Sequence, residues 1–386
     1  MAEIHGRCDE RFAAVRYVLA DNLDTGLDVG ASVAVFIDGE PVVDIWGGHR
    51  DAARTVPWEE DTIVTVFSTT KTMVALCALI LVDRGELDFH APVARYWPEF
   101  AAAGKERIEV RHVLGHTAGL PGWDRPLAPQ DLADWEKCTT SLAAQAPWWE
   151  PGTASGYHAL TQGYLVGELI RRVTGLSVGR FFAEAVAGPL GADFHIGLTA
   201  DHDHRVAELI PPPHADLVDL APTELGARAL AHPKVTGEMT AAPWWRRAEI
   251  PAANGFGNAR SVAAVQSVIA CGGEARGTRL LSRPGVESIF QRQSNGRDLV
   301  LDVPLSFGMG FALDSTTTPM RPHACTWGGY GGSMILNDLD ERLTVAYVMN
   351  RMEPVVLGDK RGASIVFATA AVLARAAKRA ARVGRA

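Results

Sequence analysis

Val66-Phe67-Ser68-Thr69-Thr70-Lys71, followed one residue on by Met73-Val74-Ala75-Leu76-Cys77-Ala78-Leu79-Ile80-Leu81-Val82, is the stretch whose reading decides the fold. Its second half is apolar on nearly every side of a helical wheel, the pattern of a helix enclosed by protein rather than lying at a surface. A lysine and two threonines at the head of such a helix are costly to bury, because an enclosed ammonium must be paired or give up its proton. If the helix begins near Ser68, Lys71 lies one turn along on the same face, within reach of the serine hydroxyl. The helix N-terminus adds unpaired N–H groups and positive potential, which favour a developing alkoxide and an oxyanion. Burial lowers the lysine pKa, so the amine can accept the serine proton or hold an anionic neighbour. Ser-x-x-Lys is a short pattern that recurs by chance, so the chemistry needs further residues in matching positions.

Upstream, Phe12, Val15, Leu19 and Leu23 fall at helical spacing and predict a helix over 9–24. Two β-runs, 31–37 and 41–46, are joined by Asp38-Gly39, a strong hairpin signal. Downstream, the buried helix stops at Arg84-Gly85. From 89 to 303 helical signals dominate, with helices expected at 110–116, 157–173 (stopping at Gly175), 178–186, 261–270 and 285–291. Within this region 199–257 is rich in proline, histidine and charge, includes Pro211-Pro212-Pro213, and reads as a long loop excursion. Period-two patterning returns at 309–313, 324–327, 333–337 and 343–349, and a last helix is expected over 363–383. The fold class is α+β: an antiparallel sheet flanked by helices, formed by a discontinuous α/β domain of residues 1–88 and 304–386, with 89–303 inserted as an all-helical lobe.

The 386 residues are 47% hydrophobic and 21% charged, an ordinary globular composition. The net charge of −8 gives no global attraction to nucleic acid or anionic lipid. Arg375, Lys378, Arg379, Arg382 and Arg385 read as the solvated basic end of the last helix. Residues 1–10 have no apolar signal core and the run 73–82 is too short to span a bilayer, so a cytoplasmic protein with no nucleic-acid or membrane partner is expected. Cys8, Cys77, Cys138, Cys271 and Cys325 have no metal-ligand spacing and read as free thiols. The histidine pairs His202/His204 and His112/His116 lack further ligands, so no metal is expected. Gly328 to Gly332 leads from strand to strand, which does not suit phosphate binding. Gly175-Leu176-Ser177-Val178-Gly179 matches a hydrolase elbow, but that elbow needs a preceding strand; here a helix precedes it, and Ser177 reads as a helix cap.

Four stretches combine with this element order. Ser68-Thr69-Thr70-Lys71 on a buried helix, Gly115-His116-Thr117-Ala118-Gly119-Leu120, Gly156-Tyr157-His158, and Trp327-Gly328-Gly329 on a late strand resemble the serine β-lactamase and penicillin-binding-protein superfamily over nearly the whole chain. The likeness is nearest to the family VIII carboxylesterases, relatives of class C β-lactamases. The resemblance implies Ser68 as nucleophile, Lys71 as its helper and Tyr157 as second proton carrier, with a cationic lysine lowering the phenol pKa. It implies an oxyanion hole from the backbone N–H groups of Ser68 and Tyr330, with Trp327, Gly328 and Gly329 as the substrate-binding strand and no cofactor. Two positions depart from the β-lactamase pattern: Ala159 stands where an asparagine is usual, and Trp327 replaces the lysine of a Lys-Thr-Gly triplet. Losing an amide and a cation removes anion recognition and adds apolar wall, so a neutral, apolar ester is expected, and the resemblance implies a short acyl chain. The same acyl-enzyme could instead serve an acyltransferase, or a β-lactamase or DD-peptidase-like hydrolase. Among loop aromatics Trp123, Trp148, Trp149, Trp244, Trp245 and Phe256, Trp123 and Phe256 are the first candidates for the acyl or alcohol pocket.

Overall fold

The computed structural model describes residues 1–212 and 217–383. Pro213 and Arg385 lie outside them, as do the side chains of Lys378, Arg379 and Arg382. Strands β1 (Ile4–Cys8), β2 (Gly30–Ile37) and β3 (Glu40–Gly48) open the chain. Short strands β4 (Val64–Thr65), β5 (His195–Ile196), β6 (Gly255–Gly257), β7 (Glu274–Ala275), β8 (Thr278–Arg279), β9 (Ser294–Arg297) and β10 (Pro304–Phe307) punctuate its middle. Strands β11 (Ala324–Gly328), β12 (Met334–Asp338) and β13 (Leu343–Met349) precede the closing helix, Lys360–Val383.

The main sheet has six strands in the order β1-β3-β2-β13-β12-β11, all antiparallel neighbours, so the first hairpin and the last strands meet at β2 and β13. The β2–β3 hairpin turns on Asp38 (φ 53°) and Gly39 (φ 81°), the paired positive angles of a type I′ turn. Side-chain alternation along the central strands divides the core into two layers. Val33, Val35, Val345 and Tyr347 face Phe12, Val15 and Leu19 from the helix Ala13–Asp24 and Ile365 from the closing helix. Ala34, Phe36, Ala346 and Val348 face the other way, into the larger core containing the helices Ala259–Ala270 and Thr70–Asp83.

Several expectations need correction. The inserted segment is not all-helical: β4, β6 and β5 form a three-stranded sheet, β7 pairs with β8, and β9 with β10. Strands of two to four residues are too short to leave a period-two signature. Residues 309–313 are not a strand; the strand before β11 is β10, and Ala312 bridges Thr326 on the edge of β11. The helix expected over 157–173 is Thr161–Thr174, leaving Tyr157 in an irregular stretch. Strand β1 was unforeseen because it is an edge strand, exposed at most positions and held through its backbone.

The sheet is pinned to the closing helix by a buried ionic group. Arg361 donates to Asp28 Oδ1 (3.0 Å), Asp359 Oδ2 (2.6 Å) and the carbonyls of Arg351 and Gly331 (2.8 Å each), and Asp28 also accepts from the Tyr347 hydroxyl. Arg361→Met removes the cation from two enclosed carboxylates, and breaking a buried pair from one side typically costs about 3–5 kcal/mol. The expected outcome is a loss of that size in denaturant unfolding; a change below about 1 kcal/mol would show that the pair has no such role.

Candidate active site

The buried helix starts as predicted, with a 3-10 turn at Phe67–Thr69 running into Thr70–Asp83. Phe67, immediately before Ser68, holds φ at +43°. This left-handed conformation is unfavourable for a bulky residue by about 1–3 kcal/mol and persists only where surroundings impose it. Here they are the rings of Trp245 and Tyr330, with centroids 6.0 and 5.3 Å from that of Phe67. The polar residues beside Ser68 are tied off. Thr70 Oγ1 accepts from Gly255 N–H and donates to the Phe67 carbonyl, while Thr69 Oγ1 meets Ser333 Oγ at 2.9 Å. Ser333 in turn donates to the Val66 carbonyl.

Three predicted side chains converge. Ser68 Oγ lies 2.7 Å from the Tyr157 hydroxyl and 2.9 Å from Lys71 Nζ. Lys71 Nζ also reaches the carbonyls of Ala159 (2.6 Å) and Ala252 (3.0 Å). Lys71 is buried, and desolvation pushes its pKa well below the ordinary value. A neutral amine fits this geometry: its two hydrogens go to the two carbonyls and its lone pair faces Ser68. The serine hydroxyl can then donate to the amine and accept from the phenol.

The expected lowering of the Tyr157 pKa is not found. Burial, the largest influence, raises it, and the charge of Asp298 adds to the rise. Burial thus favours the uncharged form of both groups, amine and phenol, over the ammonium and phenolate. Tyr157 is placed by its backbone: Gly156 N–H donates to His116 O, Tyr157 N–H to Asp298 Oδ1, and His158 N–H to His116 Nδ1. His116 is enclosed and its ring packs at a tilt of 55° against Tyr157, 5.1 Å between centroids; burial lowers its pKa well below the usual value, and its Nδ1 accepts from His158 N–H.

The Trp327-Gly328-Gly329 strand closes the opposite side. The Trp327 ring lies against Tyr157 (5.1 Å) and Phe307 (5.4 Å). Gly329 approaches so closely that a Cβ would stand 2.1 Å from the Val66 carbonyl, so no larger residue fits beside the turn at Ser68. Behind this strand an apolar cavity of about 240 Å³ is lined by Trp327, Gly328, Gly329, Met334, Val356 and Phe367.

Trp123 and Phe256 are not part of this surface. Phe256 has no exposed area and sits in β6, and Trp123 donates its indole N–H to the Cys138 carbonyl and packs on Tyr164 within the helical lobe. Ser177 caps the helix Val178–Phe182 and is bonded to Glu249. The Ala159 and Ala252 carbonyls and Asp298 escaped sequence reasoning; no side-chain pattern marks an acceptor carbonyl, and Asp298 looks like an ordinary turn residue. Among the described residues no group of three His, Cys, Asp or Glu is arranged to hold a metal, and no helix is long and apolar enough to cross a membrane.

Comparisons with known proteins identify the family and the fold. The Beta-lactamase family model matches residues 19–370. The chain is 39% identical to Esterase/beta-lactamase LipL of Mycobacterium tuberculosis, covering 93% of this chain and 86% of that protein. The crystal structure of a family VIII carboxylesterase superposes with a TM-score of 0.91 at 42% identity, covering 96% of this chain and all of that one. A penicillin-binding-protein homologue from Caulobacter crescentus gives a TM-score of 0.90 at 38% identity, again over 96% of this chain and all of the other. The chain belongs to the Beta-lactamase family and is a serine hydrolase built on the β-lactamase and penicillin-binding-protein fold.

Proposed function

We propose that the protein is a carboxylesterase that cleaves short-chain, neutral esters through an acyl-enzyme on Ser68. The observation that carries this reading is the placement of Ser68 Oγ between a buried amine and a buried phenol. As Oγ adds to the ester carbonyl carbon, its proton passes to Lys71 Nζ, which becomes an ammonium. The N–H groups of Ser68 and Tyr330 receive the carbonyl oxygen as it becomes negative; such a donor is typically worth about 10²- to 10³-fold in rate. Collapse of the tetrahedral species breaks the C–O bond, and Tyr157 gives its proton to the departing alcohol. The phenolate recovers a proton from the Lys71 ammonium, leaving acylated serine beside a neutral amine. Water then adds to the acyl carbon with its proton taken by the same relay, and carboxylic acid leaves as Ser68 is restored.

Trp327 and Ala159 support a neutral substrate, because neither carries a charge to pair with an anion and the indole supplies apolar wall. The esterase named among the relatives and the family VIII carboxylesterase support an ester as the bond cleaved. Nitrocefin turnover is expected to be weak beside ester turnover.

Hydrolysis of p-nitrophenyl butyrate tests the nucleophile. Ser68→Ala should lower kcat by about 10⁴-fold or more, while Ser177→Ala, which loses a cap, should cost about 1 kcal/mol of stability and leave kcat within roughly twofold. The reverse pattern would overturn the assignment.

The pH profile tests the base. Activity requires unprotonated Lys71, so kcat/KM should rise through the depressed lysine pKa and reach its plateau well below pH 10.5, the ordinary lysine value. The phenol must keep its proton, and its pKa is raised, so the plateau should extend past pH 10.0. A profile still climbing at pH 10 would rule out a neutral resting amine. Lys71→Arg, always protonated, should lose about 10²- to 10⁴-fold in rate, the usual worth of a proton-transfer group.

A further inference from the structure

Asp298 begins the loop of the β9–β10 hairpin, 141 residues beyond Tyr157, and has no exposed surface. A single oxygen, Oδ1, accepts three backbone N–H groups: Tyr157 at 3.0 Å, Val300 at 3.0 Å and Leu301 at 2.9 Å. Two of these bonds shape its own loop, and the third leaves that loop for the residue carrying the reactive phenol. The loop is held by Asp298 N–H to Val303 O and by Leu299 N–H to Ser155 O, which joins it to the same irregular stretch two residues before Tyr157. Tyr157 has no helix to fix its backbone, so the three consecutive N–H contacts at 156–158 do so, and Asp298 supplies the only charged acceptor among them. A charge-assisted hydrogen bond is roughly twice as strong as a neutral one.

From this geometry we infer that Asp298 is a positioning residue, which holds the Tyr157 hydroxyl in line with Ser68 and the departing alcohol. The inference rests on the proposed role of Tyr157 as proton donor. The groups facing the phenol are Ser68, Lys71 (Nζ 4.9 Å from the ring centroid), His116 and Trp327, with Asp298 the neighbouring negative charge. Asp298 touches neither substrate nor reacting atoms; it acts through the main chain of Tyr157.

A comparison of leaving groups tests this. p-Nitrophenol departs without a proton, whereas ethanol needs one, so misplacing a proton donor harms ethyl butyrate more than p-nitrophenyl butyrate. The ratio of kcat/KM values for the two esters cancels the concentration of active enzyme, and partial unfolding does not change it. Tyr157→Phe should lower the ethyl-to-nitrophenyl ratio by about 10²-fold or more. Asp298→Ala should lower it by about tenfold, and Asp298→Asn, which keeps an oxygen but loses the charge, by about threefold. In the Tyr157→Phe background either Asp298 change should have no further effect on the ratio. Should the alanine variant fail to fold, the asparagine pair completes the same cycle. An unchanged ratio in Tyr157→Phe would overturn the proposed mechanism and this inference with it. A reduced ratio in Tyr157→Phe with an unchanged ratio in both Asp298 variants would overturn the inference alone, as would full additivity of the two changes.

Discussion

The enclosed amine of Lys71 is the constraint on which the rest of the molecule depends. Its acceptors come from separate parts of the chain: the Ala159 carbonyl just ahead of the helix Thr161–Thr174, and the Ala252 carbonyl just ahead of β6. Carbonyls solvate hydrogens without contributing a formal charge, so they hold the nitrogen without stabilising an ammonium as a carboxylate would. A carboxylate at either place would restore the proton and remove the lone pair from Ser68. In the proposed mechanism Ser68 is thus competent only when the segments carrying Ala159 and Ala252 have folded against the helix head.

The main sheet meets this arrangement from the other side. The turn between β11 and β12 is anchored at its far end by Ser333 against Val66 and at its centre by Arg361 against the Gly331 carbonyl. Arg361 in turn binds Asp28 at the head of β2 and Asp359 at the head of the closing helix. One buried cation therefore ties the terminal helix and the central sheet to the loop that carries Tyr330. The close approach of Gly329 to Val66 leaves little freedom for that loop to move relative to Ser68.

Local rules made some of this legible in the sequence. Asp38-Gly39 marked its hairpin because both residues must take positive φ, and the all-apolar helix announced its burial. The meeting of Ser68, Lys71 and Tyr157 followed from resemblance, not from periodicity, because 86 residues separate Lys71 from Tyr157 in the chain. What was hidden has physical reasons. Strand β1 binds through main-chain groups with polar side chains outward, and β4, β5 and β6 are too short for a pattern. Trp123 and Phe256 sat in segments that read as loops, yet both are enclosed, since long irregular segments in this lobe pack inward and form part of its core. The phenol pKa was misjudged because the lysine was treated as a cation; burial acts on both groups, favouring neutral amine and neutral phenol together.

That shared neutrality gives the Trp327 substitution a meaning beyond lost anion recognition. The indole stands 5.1 Å from the Tyr157 ring and within ring-stacking range of His116. A lysine ammonium in its place would favour the phenolate, and it would disfavour a proton on Lys71 still further. The tyrosine would then be drawn towards the role of base. With an indole there, no formal charge at that position opposes the effect of burial on Tyr157, which raises the phenol pKa although hydrogen bonds from Ser68 and Trp327 act to lower it. Within the proposed mechanism the division of labour follows: the amine removes the serine proton, and the phenol supplies one to the alcohol. On the proposed reading, the residue that favours a neutral substrate thus also bears on which of the two buried groups starts the reaction as the acid.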